Sequence, residues 1–387
     1  MSDSFDQVLA NFHYTLAKDK IANQALKQRD QSRLLVFNRQ TGEFTDQHFF
    51  QLSEFLDEND VLVLNESKVF PARLLGKKST GGKVELLLLK VLNSNTWQAI
   101  SKPALRLQQN LYFPPRNFSS DDNLELEDLL QARVLNKQED SAIVEVQFNC
   151  ADERLWQAID RCGFTPLPPY IKNQQSENLR RQKYQTIYAK NIGSAAAPTA
   201  GLHFTNTLLD KLVKKGVQIE KIDLAVGLGT FAKLKSEHWQ KQELHEEYYQ
   251  ITEATAQRLI KAKEMGKRII AVGTTSARAL ESAFFNSAKS QKKSTKTKKN
   301  NFSFKTGRQN TKLFIHPPYH FKIVDALITN YHLPESSLLM MVSAFTSLPN
   351  SPFIFENFIK STIGKAYQYA IDHDYRFFSF GDAMLIV

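Results

Sequence analysis

The sequence predicts an α/β protein, with a mostly parallel sheet flanked by helices and a smaller β-barrel domain inserted into it. Three observations carry this. Short apolar runs that end in Gly- or Asn-containing turns alternate with helical segments over much of the chain. Between about Phe70 and Val146 the alternation stops, and short β-rich runs separated by polar turns take over. The 387 residues are 42% hydrophobic and 23% charged, which supplies a sizeable core and excludes global disorder. The expected organisation is a discontinuous α/β unit over 1–68 and 151–387, a barrel over 69–150, and a flexible lysine-rich insert over 287–303.

Along the chain, Asp60-Val-Leu-Val-Leu64 is a short apolar run stopped by Asn65, the pattern of a buried strand. The barrel runs follow at Val84 to Val91, Trp97 to Ile100, Ala132 to Leu135 and Ala142 to Val146, with turns such as Ser79-Thr-Gly-Gly-Lys83. Helices are predicted around Asn206 to Lys215 and Thr252 to Lys263. Each is followed by a glycine, Gly216 or Gly266, placed to close it. Arg268-Ile-Ile-Ala-Val272 reads as a second strand, with a helix from Ala277 to Phe285 behind it. Val324 to Ile328 reads as a third, followed by a turn and an apolar helix from about Glu335 to Phe345.

Fifty basic against forty acidic side chains give a net charge of +10. The segment from Asn286 to Lys312 holds eight lysines, one arginine and no acid, so it carries +9 and leaves the rest near neutral. The charge therefore describes a neutral body with a basic arm suited to polyphosphate. Ser287 to Asn301 has no aliphatic residue larger than Ala and reads as solvated and mobile. No apolar stretch approaches the roughly 18 residues of a membrane span. The start, Met1 to Asp6, lacks the basic and apolar regions of a secretory signal. Two cysteines, Cys150 and Cys162, make no disulfide framework. The expectation is a soluble, cytoplasmic monomer.

Several motifs could carry chemistry. Gly227-Leu-Gly-Thr-Phe231 follows an apolar run, and its small residues let backbone N–H groups approach a ligand. In Val272-Gly-Thr-Thr-Ser-Ala-Arg278 a strand ends in a tight turn, and Thr274, Thr275 or Ser276 can cap the next helix. Free N–H groups at that positive helix end suit a carboxylate or phosphate. A plain cap with a solvated or paired Arg278 is the competing reading. Ala195 to Thr205 runs through small residues to Pro198, Thr199, Gly201 and His203, and His203 is either a proton shuttle or a hydrogen-bonded structural histidine. His245-Glu-Glu247, read on a helix, splits His245 and Glu247 between faces, which argues against a metal and for a solvated face. Tyr375 to Met384 packs four aromatics around Arg376 and Asp382, a cradle for a cation or a core strand with a structural ion pair. There is no Cys-x-x-Cys, no His-Glu-x-x-His and no Walker-type loop.

In order and wording these stretches resemble the S-adenosylmethionine:tRNA ribosyltransferase-isomerase family, the enzymes of queuosine synthesis. The matching strings include Ser32 to Val36, Val61 to Asn65 with Phe70-Pro-Ala-Arg73, Thr80 to Glu85, Thr165-Pro-Leu-Pro-Pro-Tyr-Ile171 and Tyr184 to Ala189. They continue with Ala196 to Thr205, Val226 to Phe231, His245 to Tyr248, Ala271 to Ser276, Ile328-Thr-Asn-Tyr-His-Leu-Pro334 and Tyr375 to Met384, spanning nearly the whole chain. Ala17, Gln24 to Leu26 and Pro318 depart from the family pattern, and the lysine-rich insert is longer than usual.

The resemblance implies an α/β domain with a β-barrel, no metal and no prosthetic group. It implies S-adenosylmethionine as a consumed co-substrate. Its ribosyl part is transferred and isomerised onto 7-aminomethyl-7-deazaguanine at the wobble position of GUN-anticodon tRNAs, those for Tyr, His, Asn and Asp. Epoxyqueuosine-tRNA forms, and adenine and methionine leave. On that basis His203 or His245 is expected as base, with Glu247 orienting or relaying, and Asp382 or Asn330 reading adenine or the amine. Thr274, Thr275 and Arg278 are expected to hold the methionine carboxylate, and Tyr375 and Phe377 to flank the cation. Pro198, Thr199, Gly201, Gly229, Thr230, His332 and Arg376 complete the expected substrate site. Arg73, Lys77, Lys78, Lys292 and Lys293 are the expected RNA contacts.

Overall fold

The computed structural model describes residues 4–117, 125, 129–138, 142–171, 175–227, 234–286 and 302–387. Gly229, Thr230, Lys292 and Lys293, with most of the lysine-rich insert, lie outside the described residues.

A nine-stranded sheet forms the larger layer. Its centre is parallel, in the order Gln218–Ala225, Asp60–Asn65, Arg268–Val272 and Ala326–Asn330. The flanks are mixed. Glu243–Ile251 and Gly307–Leu313 add antiparallel on one side. Ala383–Ile386 adds antiparallel on the other, followed by a parallel Arg33–Phe37 and an antiparallel Phe44–His48. The parallel reading therefore holds for the core of the sheet and not for its edges, because strands that return antiparallel over long connections extend both sides.

Strand alternation explains the packing. Val61, Val63, Ile222, Leu224, Ile269, Ala271 and Leu327 face one hydrophobic core. It is covered by the helices Glu253–Glu264, Thr274–Ala283, Ser337–Phe345 and Thr362–Asp372. Leu62, Leu64, Ile270, Val272, Ala326 and Ile328 face the opposite core. There Leu208 and Leu212 of helix Asn206–Lys214 pack with Phe49 and Phe204. Gly216 and Gly266 follow their helices at φ +85° and +75°, the left-handed conformation that a glycine closes without a Cβ clash.

Two elements shift from the sequence reading. The third parallel strand begins at Ala326 rather than Val324. The Glu281 carboxylate takes the N–H groups of Ile323 and Val324 at 3.0 and 3.1 Å, which holds that backbone out of the ladder. The helix expected over Ala277 to Phe285 runs Thr274–Ala283, starting directly after Gly273 at φ +88° and ending where Phe284–Asn286 pairs as a strand.

The barrel closes six antiparallel strands: Arg73–Lys78, Lys83–Val91, Thr96–Lys102, Ile143–Phe148, Leu130–Lys137 and Asn110–Phe113, which pairs back onto Arg73–Lys78. Inward residues such as Leu74, Leu86, Trp97, Leu111, Val134 and Val146 fill it. Gly76 lies at the closing pair, where a Cβ would sit 2.2 Å from the Tyr112 carbonyl oxygen. Helix Asp152–Cys162 packs Leu155, Ile159 and Cys162 into the same core, so this unit reaches past residue 150. The strands Phe284–Asn286 and Phe302–Phe304 pair antiparallel on either side of the lysine-rich segment. Among the described residues, no helix is long and apolar enough to cross a membrane.

Candidate active site

The four parallel strands run the same way, so their carboxyl ends open on one edge of the sheet, the usual place for a ligand in an open α/β layer. A cavity of about 400 Å³ lies there, within the roughly 300–1,000 Å³ of small-molecule sites. The strand ends contribute Val226, Gly273, Thr329, Asn330, Tyr331 and His332. Pro198 and Thr199 enter from the turn that leads into the short helix Thr199–His203. Tyr170, Tyr184 and Phe378 supply ring surface.

Three features give this cavity its chemistry. First, Thr274 and Thr275 begin a ten-residue helix whose cap, Gly273, offers no side-chain hydrogen bond. The first N–H groups therefore face the cavity at a positive helix end. The buried Thr275 hydroxyl has no partner there.

Second, Asn330 is 3% exposed. Its amide nitrogen donates to His203 Nε2 at 3.1 Å and toward the carbonyls of Phe378 and Asp382 at 3.3 Å. Its Oδ1 is buried without a partner. Third, the Tyr170 and Phe378 rings stack at a tilt 5.0 Å apart, with the Tyr170 hydroxyl 2.7 Å from Ser379 Oγ. Phe378 sits at φ +70°, and this turn aims it at the cavity.

The two buried histidines occupy different places. His203 lies behind Asn330 and does not line the cavity. Ser32 Oγ donates to the Arg29 carbonyl at 3.2 Å, so it receives the Nδ1–H of His203 across 2.7 Å. Both ring nitrogens are thereby committed. His332 does line the cavity. The Thr329 hydroxyl donates to the Asn330 carbonyl at 3.2 Å and receives Nε2–H of His332 at 2.8 Å, leaving Nδ1 as the lone-pair nitrogen.

Burial pushes both imidazoles down to about 3, assisted at His203 by Arg376 and Arg29. Unfolding returns each to an ordinary value near 6.5, so below that pH the unfolded chain binds more protons. Stability is expected to be fully present above about pH 6.5 and to fall as pH drops toward 5. His203→Gln should reduce that slope; identical thermal-melt slopes in variant and wild type would rule the account out.

The remaining expected residues are distributed differently. Glu247 and Arg278 form a buried ion pair, and Glu247 Oε1 also accepts the Gly227 N–H at 3.1 Å. They lie beside Thr274 and Thr275 in a small adjoining void. His245 and Glu247 stand on the strand Glu243–Ile251, not on a helix, and both line one cavity, so the solvated-helix reading fails. His245 is half-buried and lines a second, larger cavity.

Tyr375 and Phe377 do not flank the first cavity. The Tyr375 hydroxyl donates to Asp46 at 2.7 Å under the Arg33 guanidinium, and Phe377 packs on Tyr331 in the core. Phe378 takes the place expected of them. Asp382 is 2% exposed and its oxygens accept the backbone N–H groups of Arg33 and Arg376 at 3.0 and 2.8 Å. Burial raises its carboxyl above the ordinary range against these bonds. It braces the turn while Arg376 lies outward, 3.8 Å from it.

Gly201 touches Tyr188 rather than the cavity; a Cβ there would lie 2.1 Å from the Tyr188 hydroxyl. On the barrel, Arg73 is held by Glu85 through bonds of 2.8 and 2.9 Å, whereas Lys77 is exposed. Tyr170, Tyr184, Tyr331 and Phe378 are the residues that motif reading passed over. Among the described residues no group of three or more His, Cys, Asp or Glu could hold a metal.

Fold and cavity together define an α/β protein with a cavity of small-molecule size at its parallel strand ends and a closed barrel alongside. The model of the queuosine biosynthesis protein family matches residues 9–386. A Staphylococcus epidermidis protein named S-adenosylmethionine:tRNA ribosyltransferase-isomerase is 42% identical over 382 residues, 98% of this chain and 99% of that protein. A Thermotoga maritima protein of the same name is 41% identical over 379 residues, again 98% and 99%. The crystal structure of a Thermotoga maritima S-adenosylmethionine tRNA ribosyltransferase superposes with a TM-score of 0.50 at 33% identity, covering 97% of this chain and all of that one. The chain belongs to the queuosine biosynthesis family of S-adenosylmethionine:tRNA ribosyltransferase-isomerases.

Proposed function

We propose that the chain transfers and isomerises the ribosyl part of S-adenosylmethionine onto 7-aminomethyl-7-deazaguanine at the wobble position of GUN-anticodon tRNAs, releasing adenine and methionine. The observation that carries this reading is the cavity where a bare helix N-terminus, aromatic rings and the Asn330 amide converge. The N–H groups at Thr274 and Thr275 suit the methionine carboxylate. The Tyr170 and Phe378 rings suit the sulfonium. Asn330 Oδ1, buried and unpartnered, is an acceptor for the adenine amino group.

The sulfonium acidifies the 5′ hydrogens of the sugar. A neutral imidazole in the cavity can accept one, and His332 presents Nδ1 for it. His203 acts through Asn330, whose orientation it fixes. Arg278 reaches the carboxylate site only through its ion pair with Glu247, so it positions the helix end.

The test is chromatographic detection of adenine from S-adenosylmethionine, with and without RNA bearing the aminomethyl base. RNA-dependent adenine release is expected from wild type. His332→Ala should lose about 10²–10⁴-fold, the usual size of a general-base contribution. RNA retention without adenine would favour a binding protein, and adenine without RNA a different transferase. An equally active His332→Ala would remove the base assignment alone.

A further inference from the structure

The second cavity, about 870 Å³, lies between the barrel and the sheet edge. The strand Gln218–Ala225 and the two residues after it form the wall it shares with the first cavity. Successive side chains point to opposite sides. Asp223, Ala225 and Gly227 line the larger space and Val226 the smaller. Glu247 fastens this wall through the Gly227 N–H.

Inside the larger cavity, Asp223 lies beside Asn191, whose amide nitrogen donates to Glu66 Oε1 at 3.4 Å. Tyr248 offers a ring with Lys90 Nζ 4.5 Å and the Arg308 guanidinium carbon 4.6 Å from its centroid. Burial, reinforced by Glu66, pushes the Asp223 carboxyl up to about 6 against Asn191 and Arg308. A ligand that donates hydrogen bonds to it would stabilise its ionised form.

A carboxylate beside a carboxamide complements one nucleobase edge. Guanine presents two adjacent donors, N1–H and the 2-amino group, next to the O6 acceptor. Asp223 supplies two acceptors, and Asn191 supplies the amide donor by exchanging its 3.4 Å bond to Glu66 Oε1 for the base oxygen. Adenine and the pyrimidines lack that order of groups. Tyr248 gives ring surface, Arg308 supplies a cation for a flanking phosphate of a strand, and Lys90 supplies a second by exchanging its 3.2 Å ion pair with Glu246.

We propose that this cleft is the RNA-base site, in which Asp223 and Asn191 read the guanine-type edge of the target nucleotide while Tyr248, Lys90 and Arg308 hold its strand. The proposal rests on the RNA-modifying function above and adds the place and the specificity residues.

The test uses full-length protein and three anticodon stem-loop RNAs with guanine, inosine or adenine at the wobble position, bound without S-adenosylmethionine. Inosine keeps N1–H and O6 and lacks only the 2-amino group. Wild type is expected to prefer guanine over inosine by about 10- to 100-fold, the size of a lost bond to a charged group. Asp223→Asn should remove that preference while S-adenosylmethionine affinity stays unchanged. A wild type indifferent between guanine and inosine would overturn the proposal without reference to any variant, as would an Asp223→Asn protein that keeps the preference. Guanosine monophosphate should compete weakly; competition equal to the stem-loop would remove the strand contacts. Adenine release by wild type with the aminomethyl stem-loop is measured alongside. If release occurs and the preference does not, this inference fails alone; if release is absent, the function itself fails.

Discussion

Arg278→Ala is expected to destabilise the protein by about 3–5 kcal/mol, because it strands a buried carboxylate without its counter-ion. Arg278 is 8% exposed and Glu247 4%. Desolvation pushes the guanidinium down to about 10, a sign of how poorly this site tolerates a lone charge. With Arg278 truncated, Glu247 would retain the Gly227 N–H. The helix Thr274–Ala283 would also lose its tie to the strand Glu243–Ile251. Pairing Glu247→Gln with Arg278→Met removes both charges and should recover most of the loss, since a buried ion pair nearly breaks even against a neutral replacement. Urea midpoints of wild type, Arg278→Met, Glu247→Gln and the double variant measure the coupling, with Arg278→Ala run beside them. A single variant within about 1 kcal/mol of wild type would refute it. Because the pair sits against Thr274 and Thr275, the double variant also asks whether the helix end alone suffices for binding.

Much of this fold is legible in the residues alone. The parallel strands announce themselves because they are buried on both faces. Asp60–Asn65 is buried at every position, so its run is continuously apolar and stops where the ladder stops. Gly216 and Gly266 mark helix ends for a steric reason that operates at a single residue. The strands Arg73–Lys78 and Asn110–Phe113 were illegible for the opposite reason. They are short, carry charge or polarity at their ends, and are held by barrel closure, a long-range pairing with no local signature. The start of Ala326–Asn330 was misplaced because Glu281, over forty residues earlier, captures the preceding backbone.

The site was legible in its small residues and illegible in its aromatics. Thr274, Thr275, Pro198, Thr199, Asn330 and His332 lie on turns at strand ends, where motif reading looks first, and all line one cavity. Which ring of Tyr375-Arg-Phe-Phe378 faces that cavity depends on one positive φ, at Phe378, and the residue type does not betray it. A helical period of 3.6 separates His245 from Glu247, but the chain there is an irregular strand that puts both in one cavity. His203 and His332 look equivalent as letters. Only their partners, Ser32 with Asn330 against Thr329, distinguish the one with a lone pair left over.

Asn330→Asp is expected to lower adenine release about a hundredfold, the loss typical when a reacting group is held about 1 Å out of place. The change is isosteric, so it alters hydrogen-bond polarity and not shape. In wild type the amide nitrogen faces only acceptors: His203 Nε2, the Phe378 carbonyl and the Asp382 carbonyl. A carboxylate there meets three lone pairs and no donor, inside a site that is 3% exposed. Its pKa must rise, so the variant is expected to be least destabilised below that pKa and to lose stability as pH climbs through it. That is opposite in sign to the acid loss expected from His203 and His332. If His203 responds by holding its proton, its own pKa rises from about 3, and the turn carrying Phe378 loses the bond that fixes it. Asn330→Ala, which only deletes the bonds, should cost about 1–3 kcal/mol in stability without the inverted pH trend. Melting temperatures at pH 5.5 and 8 separate the two variants. An Asn330→Asp protein that melts and turns over like wild type at both pH values would mean that this amide is not the hub holding His203, Phe378 and the cavity floor in register.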